Sequence, residues 1–374
     1  SNRYYTIDAL RGLAALSVAV FHLYNSSMEG LRHMIPEWIS AVFDRGFVGV
    51  AAFFVISGFV IAASVGEAKV DRGYIGKFAL KRSVRLDPPY WLSMAIDLSL
   101  LAITIKFFHS AVDWPSTAQI LSHFIYAQDL LGYGGIADIY WALCLEVQFY
   151  IFYVLVLAVL MRSNQGQMFT ENKHFTPAAL ILLFGAGVYS LLIRCGAVYN
   201  PIPGLFLSHW CWYFLGVLSY WCAVKKRLHP MYFWGFVALM ALSIIYGLNE
   251  GRRQISESTA CLTAIFIYWV TIRDKHSVYL NWKPLTLLGT ISYSLYLFHA
   301  IIGERVVNLL RDEVLPRSIF GYVSTPLDGV LVLSVAFAVV FFACYLVYQF
   351  VEKPSMAISK RIKPAQKGKL LADA

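Results

Sequence analysis

Residues 7–24 read IDALRGLAALSVAVFHLY, an apolar run broken only by Asp8, Arg11, Ser17 and His22 among its polar positions. Eighteen residues at 1.5 Å each nearly match the hydrocarbon core of a bilayer, so the stretch reads as a membrane-spanning helix. Arg11 and His22 lie eleven residues apart. At about 100° per residue they return to within roughly 20° of the same direction, separated by about 16 Å along the axis. One face thus carries a guanidinium near one membrane surface and an imidazole near the other. Ionisable groups in a bilayer are costly and mark function by default. The plain alternative is an arginine snorkelling to headgroups and a histidine at the opposite interface.

The rest of the 374 residues extends this pattern. Hydrophobic residues make up 59% and charged residues 14%, with a mean hydropathy of +0.61. Further apolar stretches lie near 46–65, 88–108, 139–161, 178–195, 204–223, 231–248, 258–272, 286–303 and 327–350. The chain reads as an all-α, polytopic transmembrane bundle of about ten spans, a membrane domain over 1–352 followed by a basic tail over 353–374. With a cytoplasmic N-terminus, 22 of the 31 lysines and arginines fall on the inner side and 9 on the outer. That asymmetry predicts cytoplasmic placement of both termini and a multi-pass protein of the cell (inner) membrane. The net charge of +9 reads as topology and contact with anionic lipids. The basic residues are scattered over short loops, which argues against nucleic acid as a partner. Six cysteines show no C-x-x-C or Cys/His spacing, so neither a disulfide framework nor a metal site is expected.

Three further polar clusters interrupt the apolar pattern. In KRSVRLDPPYW (81–91), Arg82 and Arg85 share a helical face at the inner mouth of the third span, where Pro88 and Pro89 can interrupt or begin a helix. Two converging guanidiniums suit a phosphate or pyrophosphate, and a positive-inside anchor is the alternative. In YWALCLEVQFYIFYVL (140–155), Glu146 lies about two turns into an apolar helix and needs a partner. A structural ion pair with Arg45 or Arg194 would also satisfy it. In LGTISYSLYLFHA (288–300), Tyr293, Tyr296 and His299 approach the outer half, where His299 alone reads as an interfacial histidine. Ser57 and Gly58, in FVGVAAFFVISGFVIA (47–62), read as a close-packing face, since no G-x-S-x-G elbow surrounds the serine.

Taken in series, IDALRGLAAL…FH, FFVISGF, the Arg-x-x-Arg pair with PPYW, WALCLEVQFY, ISYSLYLFH and VEKP resemble the motifs of the acyltransferase 3 family, in family order from residue 7 to residue 354. These are integral-membrane acyltransferases, typified by bacterial O-acetyltransferases that decorate surface glycans. One departure stands out: many relatives carry Asp shortly before the Phe-Phe of the second span, where this chain has Ala51 and Ala52. The resemblance implies an acyl-CoA, acetyl-CoA above all, as donor substrate and no bound cofactor. It places Arg11, Arg82 and Arg85 on the CoA phosphates, with His22 as general base or acyl carrier. Glu146 would orient His22. Trp141, Tyr150, Tyr293 and His299 would receive a glycan or glycolipid acceptor at the outer face. A secondary transporter exporting a small acid or glycan precursor is the competing class, and it predicts broken helices in repeated halves that this sequence does not display.

Overall fold

The computed structural model describes residues 4–27, 35–108, 112–163, 177–247, 251–276, 278–311 and 326–362. Among these residues the secondary structure is helical, without strands. The helices are α1 (Tyr5–Ser26), α2 (Glu37–Phe43), α3 (Gly49–Val65), α4 (Arg72–Phe108), α5 (Thr117–Phe124), α6 (Tyr140–Ser163) and α7 (Pro177–Arg194). They continue as α8 (Trp210–Ser219), α9 (Pro230–Tyr246), α10 (Arg252–Ile272), α11 (Lys283–Thr290), α12 (Ser292–Leu309), α13 (Pro326–Val347) and α14 (Lys353–Arg361). Each apolar stretch of the sequence falls on a helical segment. Seven of these are long and apolar enough to cross a membrane, and α11 with α12, bent by 70° at Ile291, would make an eighth. The stretch over 231–248 corresponds to the 17-residue α9. That over 204–223 is assembled from a 3-10 turn (Phe206–His209), α8 and a π turn (Tyr220–Val224). Of the basic tail, residues 353–361 form α14, while Lys363, Lys367 and Lys369 lie outside the described residues.

Two local outcomes differ from the sequence expectation. Pro88 and Pro89 do not break the third span: α4 runs through both. Each proline removes an N–H from the ladder and leaves an upstream carbonyl to find another donor. Nearby, the Leu86 carbonyl accepts from the Tyr293 hydroxyl at 2.8 Å, which ties this stretch of α4 to α12. The eighth stretch also begins earlier than its hydropathy suggested, because α10 starts at Arg252 and buries Ser256 and Glu257 in its first turns.

The core sits where α3 crosses α8 and where α1 packs between α3, α11 and α12. Glycines set these crossings. A Cβ at Gly58 would collide with the Tyr213 carbonyl, and one at Gly216 with the Val55 carbonyl. Backbones approach this closely only where small residues face each other, so Gly58 serves the packing face expected of it. Gly12 of α1 and Gly289 of α11 meet in the same way. The result holds α1, with its two ionisable side chains, rigidly against both halves of the bundle.

Candidate active site

At the N-terminal end of α1, Arg11 lines a narrow cavity of about 60 Å³ together with Arg82 and Arg85 of α4. Opposite them stand Ser57 of α3, Glu146 and Tyr150 of α6, and Tyr293 of α12. The Arg82 guanidinium lies 5.0 Å above the Tyr150 ring and 5.4 Å from that of Phe78. None of the three arginines forms an ion pair within 4.0 Å among the described residues. The Glu146 carboxylate is already engaged, accepting from Ser57 Oγ at 2.6 Å and from the Tyr150 hydroxyl. A second carboxylate, Glu352 of the VEKP motif, is buried at this end and accepts from Ser294 Oγ at 2.5 Å. The cluster sets three guanidiniums against two carboxylates, a positive excess that suits an anion.

At the other end of α1, His22 Nδ1 lies 2.8 Å from Glu304 Oε1. A carboxylate only accepts, so Nδ1 carries the proton and donates it, which leaves the Nε2 lone pair free in the neutral ring. The His22 ring is edge-on to those of His299 (5.1 Å between centroids) and Phe21 (5.2 Å). Beside it, Arg305 donates to Asp97 Oδ1 at 2.6 Å. His299 is fully buried, with Nδ1–H donating to the Leu295 carbonyl at 3.0 Å and Nε2 without a partner among the described residues.

Two further cavities share wall residues with one another or with the arginine cavity. A second cavity, of about 220 Å³, is lined by His22, Asp138, Trp141, Trp212, Ser256 and aromatic rings, and it shares Val50 and Tyr296 with the arginine cavity. A third, of about 320 Å³, is lined by His22, Asp97, Asp138, Glu304, Arg305 and Asn308, and it shares His22 and Asp138 with the second. His22 thus lines both of these cavities, about 16 Å along α1 from Arg11.

Four expectations change. Glu146 does not orient His22: Ser57 and Tyr150 hold its carboxylate in the arginine cavity, and Trp141 is the residue of α6 that shares a cavity with His22. The partner of His22 is Glu304, which the sequence reading placed one residue beyond the ninth stretch; α12 continues to Leu309 and carries it inward. Tyr150 and Tyr293 line the arginine cavity, whereas Trp141 alone of the expected acceptor residues shares a cavity with His22. His299 is no interfacial histidine but a buried neighbour of His22. The ion-pair alternatives for Glu146 also fall away, because Arg194 pairs with Glu257 at 2.9 Å and Arg45 donates to the Ala41 carbonyl. Glu304 could have been found by the test that singled out Glu146, a carboxylate at an apolar helix. Glu352 carried only its place in a motif.

An apolar helical bundle whose first helix carries an arginine cluster at one end and a carboxylate-bound histidine at the other is a multi-pass membrane architecture with two polar sites inside it. Comparison with known proteins makes this specific. A family model described as an acyltransferase domain matches residues 4–349, and the chain belongs to that family, acyltransferase family 3. It is 23% identical over 308 residues to a putative acetyltransferase, ORF330, of Acidianus two-tailed virus, covering 80% of this chain and 83% of the relative. It is 25% identical over 322 residues to nodulation protein 10 of Rhizobium leguminosarum bv. viciae, with 80% and 83% covered. To the O-acetyltransferase OatA of Staphylococcus aureus (strain NCTC 8325 / PS 47) it is 25% identical over 319 residues, which cover 78% of this chain but only 49% of OatA. No solved structure matches. The chain is a multi-pass membrane acyltransferase related to O-acetyltransferases.

Proposed function

We propose that this protein transfers an acyl group, acetyl by preference, from cytoplasmic acyl-CoA to a hydroxyl of a surface glycan or lipid-linked saccharide on the far side of the cell (inner) membrane. The observation that carries the proposal is the series of cavities lined by Arg11, Arg82 and Arg85 at one end and by His22, bonded through Nδ1 to Glu304, at the other. In this reading the protein has ten spans with both termini in the cytoplasm, as the distribution of its basic residues suggests. Arg11, Arg82 and Arg85 bind the CoA phosphates, for which planar forked donors are suited. The pantetheine arm follows α1 past Val50 and Tyr296, a path of about 16 Å, and presents the thioester carbonyl beside His22.

Glu304 holds the imidazole with Nδ1 protonated and stabilises the imidazolium once Nε2 has taken a proton. His22 Nε2 removes the proton of the acceptor hydroxyl as its oxygen attacks the thioester carbon; the C–S bond breaks, and the imidazolium returns the proton to the departing thiolate. A variant of the same chemistry has Nε2 attack the thioester and pass the acyl group on. Single-turnover experiments with labelled acetyl-CoA and no acceptor distinguish them, because only the second route labels the protein. The test of the function itself is acetyl transfer to cell-envelope saccharides by purified protein. His22→Ala is expected to lose about 10²- to 10⁴-fold in rate, the range of general-base catalysis. Wild-type turnover in that variant would refute the proposal.

A further inference from the structure

A cavity of about 940 Å³ lies at the end of the bundle where α1 begins, and it shares no lining residue with the three described above. Its walls are the loop from the π turn into α9, the first turn of α9, the end of α10 and the turn that follows it. Met231 and Ile272 belong to the lining and are 63% and 54% exposed, so the cavity opens past an apolar rim. Both helical segments that end here are followed by a charged residue in the left-handed region, Lys226 (φ 53°) and Asp274 (φ 50°). Glycine is the usual residue at such a position, because an L side chain is strained there. After α10 the capping motif is complete, with the Asp274 N–H on the Thr271 carbonyl and the Lys275 N–H on the Val270 carbonyl, both at 3.1 Å. Four non-glycine residues among those described have positive φ, and two of them line this one cavity. Backbone strain collects where a particular side chain is needed.

The two side chains are exposed and of opposite charge, and neither forms an ion pair within 4.0 Å among the described residues. Their neighbours are occupied: Arg227 pairs with Glu67 at 2.5 Å, and His229 Nδ1 caps α9 by accepting the Met231 N–H at 3.2 Å. Unlike charges that share a cavity without closing on each other leave room between them for a ligand that carries both signs. We infer that this cavity holds the headgroup of one phospholipid of the phosphatidylethanolamine class. Lys226 binds the phosphate beside the N-terminus of α9, whose dipole also favours an anion. Asp274 accepts from the ammonium, and the acyl chains leave past Met231 and Ile272. A wholly anionic headgroup is repelled by Asp274, and a quaternary ammonium has no N–H to give it. The turn that carries Asp274 is tied to the start of α1, because Thr6 Oγ1 donates to the His276 carbonyl at 3.0 Å. This lipid site is independent of the acyl-transfer chemistry.

Delipidated full-length protein in detergent is titrated with palmitoyl-oleoyl phosphatidylethanolamine and with the phosphatidylglycerol and phosphatidylcholine of the same chains, and bound lipid is counted by native mass spectrometry. One equivalent of phosphatidylethanolamine is expected, with a Kd about tenfold or more below those of the other two, the effect of one charge-assisted hydrogen bond. Lys226→Gly removes the charge and the strain together. Its melting temperature without lipid should equal or exceed that of the wild type while its Kd for phosphatidylethanolamine rises about tenfold or more. Asp274→Asn keeps a residue that tolerates the left-handed region and should cancel the preference for phosphatidylethanolamine over phosphatidylcholine. Acetyl-CoA affinity should stay at the wild-type value in both variants. Absence of saturable phosphatidylethanolamine binding, phosphatidylglycerol bound as tightly, or wild-type phosphatidylethanolamine affinity in either variant would overturn the inference. A lower melting temperature in lipid-free Lys226→Gly would also overturn it, since the lysine would then serve the fold.

Discussion

The two ends of α1 keep opposite electrostatic company. Around Arg11, three guanidiniums gather with no ion pair among the described residues, and the nearest carboxylates are occupied by Ser57, Tyr150 and Ser294. Around His22 the charged groups come already matched, His22 with Glu304 and Arg305 with Asp97. Three guanidiniums against the two carboxylates of Glu146 and Glu352 leave a positive excess at the first end, which an anion would offset, so this end is suited to binding. Matched pairs need no ligand to be stable, so the second end is built to hold one imidazole nitrogen ready for a proton.

Several substitutions break this contrast. Removing Arg82 and Arg85 together should have the largest effect on the donor. Each lost charge-assisted hydrogen bond is worth about 1.5–3 kcal/mol, so the Kd for acyl-CoA in a detergent-binding assay should rise by roughly 10- to 150-fold per residue. Lysine replacements should recover only part, since a point charge lacks the planar fork. Unchanged affinity in the double alanine variant would return the pair to a topology anchor. Glu304→Gln should act at the other end alone: kcat should fall about 10- to 150-fold, for loss of one charge-assisted bond to the developing imidazolium, while acyl-CoA affinity stays constant. Glu146→Gln sharpens the reassignment. It should leave kcat at saturating acyl-CoA near the wild-type value; a loss as large as that of Glu304→Gln would put Glu146 back beside His22.

The smallest expected effect concerns His123, outside the long apolar helices. Its Nδ1–H donates to the Gln119 carbonyl at 2.8 Å and its Nε2 accepts from the Ile136 N–H at 3.1 Å. Burial holds its pKa below the ordinary 6.5. The folded state therefore binds this proton less readily than the unfolded state, so stability from this site is complete above about pH 6.5 and declines as pH falls below it. Melting temperature should drop between pH 7 and pH 5 more in the wild type than in His123→Phe. Equal slopes would remove His123 from the account.

Much of this architecture could be read from composition and spacing. Apolar segments long enough to span a bilayer announce themselves, and the Arg11–His22 spacing on one helix needed only the helical rise and turn. What could not be read is which neighbour each side chain meets. Glu146 lies on the same helix as Trp141, which does share a cavity with His22, but its carboxylate is taken by Ser57 in the arginine cavity, and the sequence of α6 contains nothing about α3's Ser57 as its partner. Glu304 was lost to a boundary, because hydropathy ends where the first charge appears whereas the helix ends six residues after Gly303. Glu352 finds Ser294 across 58 positions of sequence, a relation that no local periodicity encodes.

The central claim is a division of labour along one helix, binding at Arg11 and chemistry at His22. It is tested most directly by measuring the acetyl-CoA affinity of purified His22→Ala protein alongside its acetyl transfer. The account predicts transfer lost and affinity at the wild-type value, because the phosphates are held about three turns away. Affinity lost together with transfer would contradict it.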